Sequence, residues 1–117
     1  MYVTLTEPVN SKKSRIYLDQ EAAFIMYRRE MMMYHISEGA ELSEEQYKKI
    51  LEETILRRAK MRCLNLLKTM DRTEIQLRQK LKQGEYPEEI IERAIEYVKG
   101  YGYVDDARYA RQYVHCF

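Results

Sequence analysis

Thr73-Glu74-Ile75-Gln76-Leu77-Arg78-Gln79-Lys80-Leu81, then Tyr86-Pro87-Glu88-Glu89-Ile90-Ile91, then Gly102-Tyr103-Val104-Asp105-Asp106-Ala107-Arg108-Tyr109-Ala110 is the stretch that decides the fold. Each piece starts a helix and the spaces between them stop one. Thr73 with Gln76 is a capping box, in which the threonine side chain and the N3 glutamine satisfy each other's free backbone amides. Leu77 and Leu81 then face inward at i, i+4, with Arg78 and Lys82 on a neighbouring strip, and Gly84 is the expected C′ stop. Pro87 is placed at N1, with Glu88 and Glu89 in the first turn where the helix dipole favours them. Ile90, Ile91, Ala94, Ile95 and Val98 make an apolar stripe closed by Gly100. Asp105 caps a last helix whose stripe is Tyr109, Ala110, Tyr113, Val114 and Phe117.

Upstream, Ser43-Glu44-Glu45-Gln46 is a second capping box. It opens a long helix with apolar residues at Tyr47, Ile50, Leu51, Ile55, Ala59, Cys63, Leu66, Leu67 and Met70. A bend or break near Arg57-Arg58 is expected in so long an element. The first residues carry strand signals instead: Tyr2 to Thr6, Arg15 to Leu18 and Ala22 to Met26. Pro8 to Ser14 is a polar connection and Asp19-Gln20-Glu21 a tight one. So small a three-stranded meander cannot stand alone and needs a helix on one face. Arg28 to Tyr34 begins the helical part. Of the adjacent Met31, Met32 and Met33, at least one must lie on the surface, and His35 reads as a helix-end residue. The fold class is therefore mainly α: a small N-terminal β-meander with a short helix (1–42), a long helix followed by short, sharply punctuated helices (43–104), and a last helix (105–117).

Composition bounds the function. The chain has 117 residues, 33% charged and 45% hydrophobic, which describes a globular protein. No apolar run reaches membrane-span length and no signal peptide opens the chain, so a cytoplasmic location with no membrane is expected. Cys63 and Cys116 lack metal-ligand spacing and are expected as two reduced thiols. The net charge of +1 hides strong segregation. Residues 57 to 82 carry Arg57, Arg58, Lys60, Arg62, Lys68, Arg72, Arg78, Lys80 and Lys82 against only Asp71 and Glu74. Such a block suits polyanions or acidic protein surfaces, although a charge run is more often a solvated helix face. No catalytic constellation, phosphate loop or metal motif is present, and the acidic pairs Glu44/Glu45, Glu88/Glu89 and Asp105/Asp106 sit at helix starts. A binding protein is expected, with no enzyme activity and no cofactor.

The same residues carry a resemblance. Thr73-x-x-Gln76-Leu77-x-x-Lys80-Leu81, Tyr86-Pro87-Glu88-Glu89-x-Ile91 and Gly102-Tyr103-Val104-Asp105-Asp106-x-Arg108-Tyr109-Ala110 resemble the first helical repeat of the RecX regulatory proteins. Ile16-Tyr17-Leu18-Asp19 with Ala23-Phe24, then Tyr34-His35-Ile36 and Glu38-Gly39-x-Glu41-Leu42, resemble the N-terminal extension of the Gram-positive members. The resemblance implies tandem three-helix repeats, with the long helix and first three-helix repeat over 43–104 and the first helix of a second repeat over 105–117, and modulation, usually inhibition, of the RecA recombinase. It implies binding to the RecA–single-stranded DNA filament, in the control of DNA repair, recombination and the SOS response. Three departures stand out. Gln20 replaces a frequent glycine in the Asp-Gly turn. Gly84 comes one residue before the usual Gly-Tyr pair, and the second repeat is only begun, so the chain is expected to be an N-terminal fragment or truncated form.

The candidate contacts to DNA or RecA are Arg57, Arg58, Lys60, Arg62, Arg78 and Lys82, with Arg108 and Arg111 as weaker ones. Tyr101, Tyr103 and Tyr109 could stack on bases, but packing is favoured for them. Two other readings stand beside this one. One is a small helix-turn-helix DNA-binding regulator unrelated to RecA, for which the acidic Pro87 helix would be a poor reader. The other is a homodimer through Tyr109, Tyr113 and Phe117.

Overall fold

The computed structural model describes residues 1–100. Three antiparallel strands, β1 (Val3–Pro8), β2 (Lys13–Leu18) and β3 (Glu21–Tyr27), form a meander in the order β1-β2-β3. Helix α1 (Arg28–Met33) follows directly. A second helical stretch is made of α2 (Glu44–Ile50), a π-helical segment (Leu51–Leu56) and α3 (Arg57–Thr69), and α4 (Glu74–Gln83) and α5 (Glu88–Gly100) complete the fold. The chain is mainly α with an N-terminal sheet, as expected. Asp105, Cys116 and the stripe from Tyr109 to Phe117, on which a second repeat is expected, lie outside the described residues. Among the described residues no helix is long and apolar enough to cross a membrane.

The sheet is one-sided. Val3, Ile16, Leu18, Phe24 and Met26 are buried, while the alternate residues Arg15, Tyr17, Ile25 and Tyr27 are only half-covered. That alternation follows from the period-two geometry of a strand. The β2–β3 hairpin closes on Asp19 and Gln20, both with positive φ (49° and 72°). Positive φ at both central residues is the signature of a type I′ turn, which normally selects Asn-Gly or Asp-Gly. Gln20 thus occupies the position where glycine would be free of strain. At the other hairpin, the Asn10 side chain accepts from the Lys12 and Lys13 backbone amides at 2.8 and 3.0 Å. The outer edge of β1 is covered by residues 39–42, with Val3 N–H donating to Ala40 O at 2.8 Å and Gly39 N–H to Val3 O at 2.7 Å. Covering an edge in this way removes a template for pairing with other chains.

Both capping boxes form. Ser43 accepts from Gln46 N–H, and Thr73 from Gln76 N–H, each with the glutamine side chain returning the contact. Two helix ends use the same C-terminal closure. At α1, Ile36 N–H donates to Met31 O (2.7 Å) and His35 N–H to Met32 O (3.3 Å), with His35 at φ 56°. At α4, Tyr86 N–H donates to Leu81 O (3.3 Å) and Glu85 N–H to Lys82 O (3.0 Å), with Glu85 at φ 57°. This is the Schellman arrangement. His35 is the helix-end residue that its sequence context suggested. Gly84 is not the left-handed C′ residue, however; its φ is −82° and Glu85 takes that role. A Cβ at 84 would lie 2.8 Å from the Tyr86 ring, so any other residue there would force that ring to shift. Pro87 also stands one residue earlier than expected. α5 opens at Glu88, and the Pro87 carbonyl accepts from Ile91 N–H at 3.0 Å.

The long helix does not break near Arg57-Arg58. It widens instead. Buried residues across the π segment recur five apart, Ile50 with Ile55, Leu51 with Leu56, and Thr54 with Ala59. Thr54 tolerates burial because its hydroxyl bonds that of Tyr34 at 2.7 Å. Met70, expected on the inward stripe, is half-exposed, since Met70 already has extended backbone and lies past the helix end. Ala59 and Cys63 from α3, Leu77 and Leu81 from α4, and Ile90, Ile91, Ala94, Ile95 and Val98 from α5 are all fully covered. Each large apolar side chain buried this way stabilises the fold by about 1.5–3 kcal/mol relative to exposure.

Candidate nucleic-acid interface

The sheet and the helical repeat meet across a groove. Lys13, Ile25 and Tyr27 line it from the sheet, Arg58, Met61 and Arg62 from α3, and Lys80, Glu85 and Tyr86 from α4 and the turn after it. The four cations come together because three separate elements place them. Arg58 and Arg62 are one helical turn apart on α3, so they share a face. Lys13 stands on the half-covered face of the sheet, and Lys80 on the side of α4 turned toward α3.

The groove's floor is held rigidly. Arg58 donates to Ile25 O at 2.8 Å, pairs with Glu30, and lies 4.9 Å from the centroid of the Tyr27 ring. Lys13 Nζ approaches the same ring at 5.5 Å. At the far end, Arg15 grips Glu85 with two bonds, Nε to Oε1 at 2.6 Å and Nη2 to Oε2 at 2.7 Å, and also meets Glu7. The Arg15 guanidinium holds the Glu85 carboxyl below its usual range. Burial pushes the Tyr86 phenol up, with Arg58 and Arg62 pulling the other way. Tyr86 therefore stays a neutral, hydrogen-bonding aromatic at physiological pH.

The expected contact residues divide among several faces. Arg58 and Arg62 are in the groove, but Arg58 is committed to Glu30 and to the sheet. Arg62 is exposed, and among the described residues it has no ion-pair partner. Arg57 points elsewhere, into a concavity that also holds Met33, Lys49 and Glu52. Lys60 packs over the Tyr97 ring at 4.4 Å, on the α5 side of α3. Arg78 is a structural clamp. It bonds Glu74 at 3.0 Å and Glu92 of α5 at 2.9 Å, with Glu88 at 3.9 Å. Arg93 similarly ties α5 to Glu52 of the π segment at 2.8 Å. Lys82 is exposed on α4. Arg108 and Arg111, and Tyr101, Tyr103 and Tyr109, lie outside the described residues.

Sequence reasoning missed Lys13, and passed over Lys80 within the basic block. The available signal was the Lys12-Lys13 pair in the first hairpin, which only the fold brings beside α3. Two uncommitted cations, Arg62 and Lys80, with Lys13 and two tyrosines can take phosphates along a backbone without reading sequence.

The geometry has close relatives. Residues 59–97, which run from α3 into α5, match the family model described as RecX, first three-helix domain. Regulatory protein RecX of Clostridium acetobutylicum is 33% identical over 114 residues, covering 96% of this chain and 53% of that protein. Regulatory protein RecX of Caldanaerobacter subterraneus is 36% identical over 104 residues, covering 89% of this chain and 53% of the relative. A crystal structure of regulatory protein RecX superposes with a TM-score of 0.56 and 29% identity, over 98% of this chain and 57% of that one. Residues 59–97 thus match the RecX first three-helix domain, the chain is similar to RecX regulatory proteins over most of its own length, and it spans about half the length of the curated relatives it matches.

Proposed function

We propose that the chain is a non-catalytic regulator of the RecA recombinase, binding the RecA–single-stranded DNA filament in the cytoplasm and slowing its activity in recombination, repair and the SOS response. The observation that supports this most is the groove between sheet and repeat, where Lys13, Arg62 and Lys80 stand beside Tyr27 and Tyr86 in a RecX-like fold. Contacts of this kind go to phosphates, so single-strand affinity falls with salt. Three neutralised phosphates give a slope near −2 in log affinity against log salt, at ~0.7 per phosphate.

The test is RecA-driven strand exchange and ATP turnover with the chain added. Slowing of both, relieved by Arg62→Glu with Lys80→Glu, is the expected result. Unchanged strand exchange and ATP turnover at saturating chain would overturn it. A helix-turn-helix reader finds less support here, because Arg78 on α4 is held by Glu74 and Glu92 and the exposed face of α5 is acidic. A homodimer through Tyr109, Tyr113 and Phe117 rests on residues outside those described.

A further inference from the structure

A second concavity, of about 710 Å³, lies between the β1–β2 hairpin and α1. Its chemistry differs from that of the groove. Lys12, Lys13 and Arg28 stand on it, and no carboxylate is among its lining residues. In the groove, Glu85 is present and Glu30 neutralises Arg58; here, among the described residues, no acidic side chain lines the surface. Its apolar part comes from Met31, Met32 and Ile36. Met32 is 72% exposed, although methionine is a side chain that cores readily absorb. The backbone around the site is fixed. Arg28 N–H donates to Lys12 O at 3.0 Å, and His35 closes α1 in the left-handed conformation.

We infer that this hairpin–α1 cleft is a docking site for an acidic peptide segment carrying an apolar anchor. Charge complementarity decides the sign of the occupant, since Lys12 and Arg28 have no ion-pair partner among the described residues. The apolar floor decides its class. Phosphates of a nucleic acid would use the cations and leave Met31 and Met32 without a partner. No tyrosine lines the cleft to stack a base, whereas two tyrosines line the groove. An apolar side chain seated on the methionines, flanked by carboxylates on Lys12 and Arg28, uses both halves of the surface. The inference is independent of the RecA reading.

Lys12, Arg28 and Met32 line the cleft and not the groove, so the two sites are separable by substitution. The probe is a short fluorescent peptide of Asp and Glu around one Leu-Phe pair, titrated with the whole chain. Oligo-dT and the same peptide with basic flanks are the comparison probes. Lys12→Ala with Arg28→Ala is expected to weaken acidic-peptide binding by about tenfold or more, leaving oligo-dT binding unchanged. Met32→Gln weakens it a few-fold at low and high salt alike, because apolar burial is not screened. All three positions are surface ones, and circular dichroism confirms the fold of each variant. Binding no tighter than that of the basic-flanked peptide overturns the inference. So does loss of oligo-dT binding in the Lys12/Arg28 variant with the acidic peptide unaffected, which would make the cleft a nucleic-acid surface.

Discussion

The sheet and the helical repeat hold themselves together by opposite means. In α3 to α5, neighbouring residues decide nearly everything. Thr73 and Gln76 cap one helix, Glu74 and Arg78 pair along it, and an unbroken apolar stripe on α5 fills the space between. In the sheet, the decisive contacts come from far along the chain. Arg15 reaches Glu85, Arg58 reaches Glu30 and Ile25, and Phe24 stacks on Tyr47 with ring centroids 6.3 Å apart. The sheet also carries backbone strain at both central residues of one turn, Asp19 and Gln20. A short meander without its own second layer depends on such long-range clasps, while a three-helix unit does not.

The largest expected effects test whether the two regions unfold as one. Leu81→Ala in the repeat and Met26→Ala in the sheet, both fully buried, should each cost about 2–5 kcal/mol in urea unfolding. Both variants should show one transition by far-UV circular dichroism and by tyrosine fluorescence. Two separated transitions in Met26→Ala would break the picture of a single core. Next comes the clasp itself. Arg58→Ala strands a mostly buried Glu30 and frees Ile25 O, for an expected loss of about 1.5–3 kcal/mol. Lysine at this position should rescue little, since it cannot make the forked contact.

Smaller effects separate strain from contact. Gln20→Gly should stabilise by about 0.5–1 kcal/mol, removing left-handed strain of roughly 1–2 kcal/mol against the entropy that glycine adds to the unfolded chain. Glu85→Gly relieves the same strain but loses Arg15, so its gain should be clearly less than that of Gln20→Gly. Repeating both on Arg15→Ala should remove that difference, because the contact is already lost. Last, acid should weaken the clasps. Arg93 holds Glu52 below the usual carboxylate range, Arg78 holds Glu74 and Glu92, and Arg15 holds Glu85. A depressed folded pKa means that their stabilisation is complete above the usual value of 4.5 and fades as pH falls through the lower folded values. Thermal melts should thus be flat from neutrality to that value and fall below it, and the fall should be blunted in Arg15→Ala.

Legibility in the amino-acid sequence follows the same division. Both capping boxes and the α5 stripe are readable because each is settled within a few residues. The strands are placed to within a few residues by their β-branched and aromatic content. The left-handed turn position at Glu85 is easily assigned to Gly84, because a glycine beside a helix end is the stronger local cue even when it serves a neighbouring ring. The choice of partner for each cation is not readable at all. Arg58 and Arg62 look alike in sequence, yet one is spent on Glu30 and the other is uncommitted, and only the docking of the sheet distinguishes them. Among the described residues Cys63 is a free, buried thiol. Burial pushes its pKa up to about 11, so alkylation of Cys63 in the folded chain should be slow and should become rapid on unfolding.

The wide turn at Leu51–Leu56 has a consequence for how relatives are compared. A π segment amounts to one residue inserted into an α-helix, and each residue rotates the remainder of the helix by about 100°. It therefore acts as a phase shifter between α2, which is set to the sheet, and α3, which is set to the repeat. Removing one residue from it would keep every cap and every stripe, yet swing Arg58 off Glu30 and Arg62 out of the groove. A one-residue gap in this helix is thus a change of wiring between two intact halves, and length at this point is a trait to be read alongside residue identity.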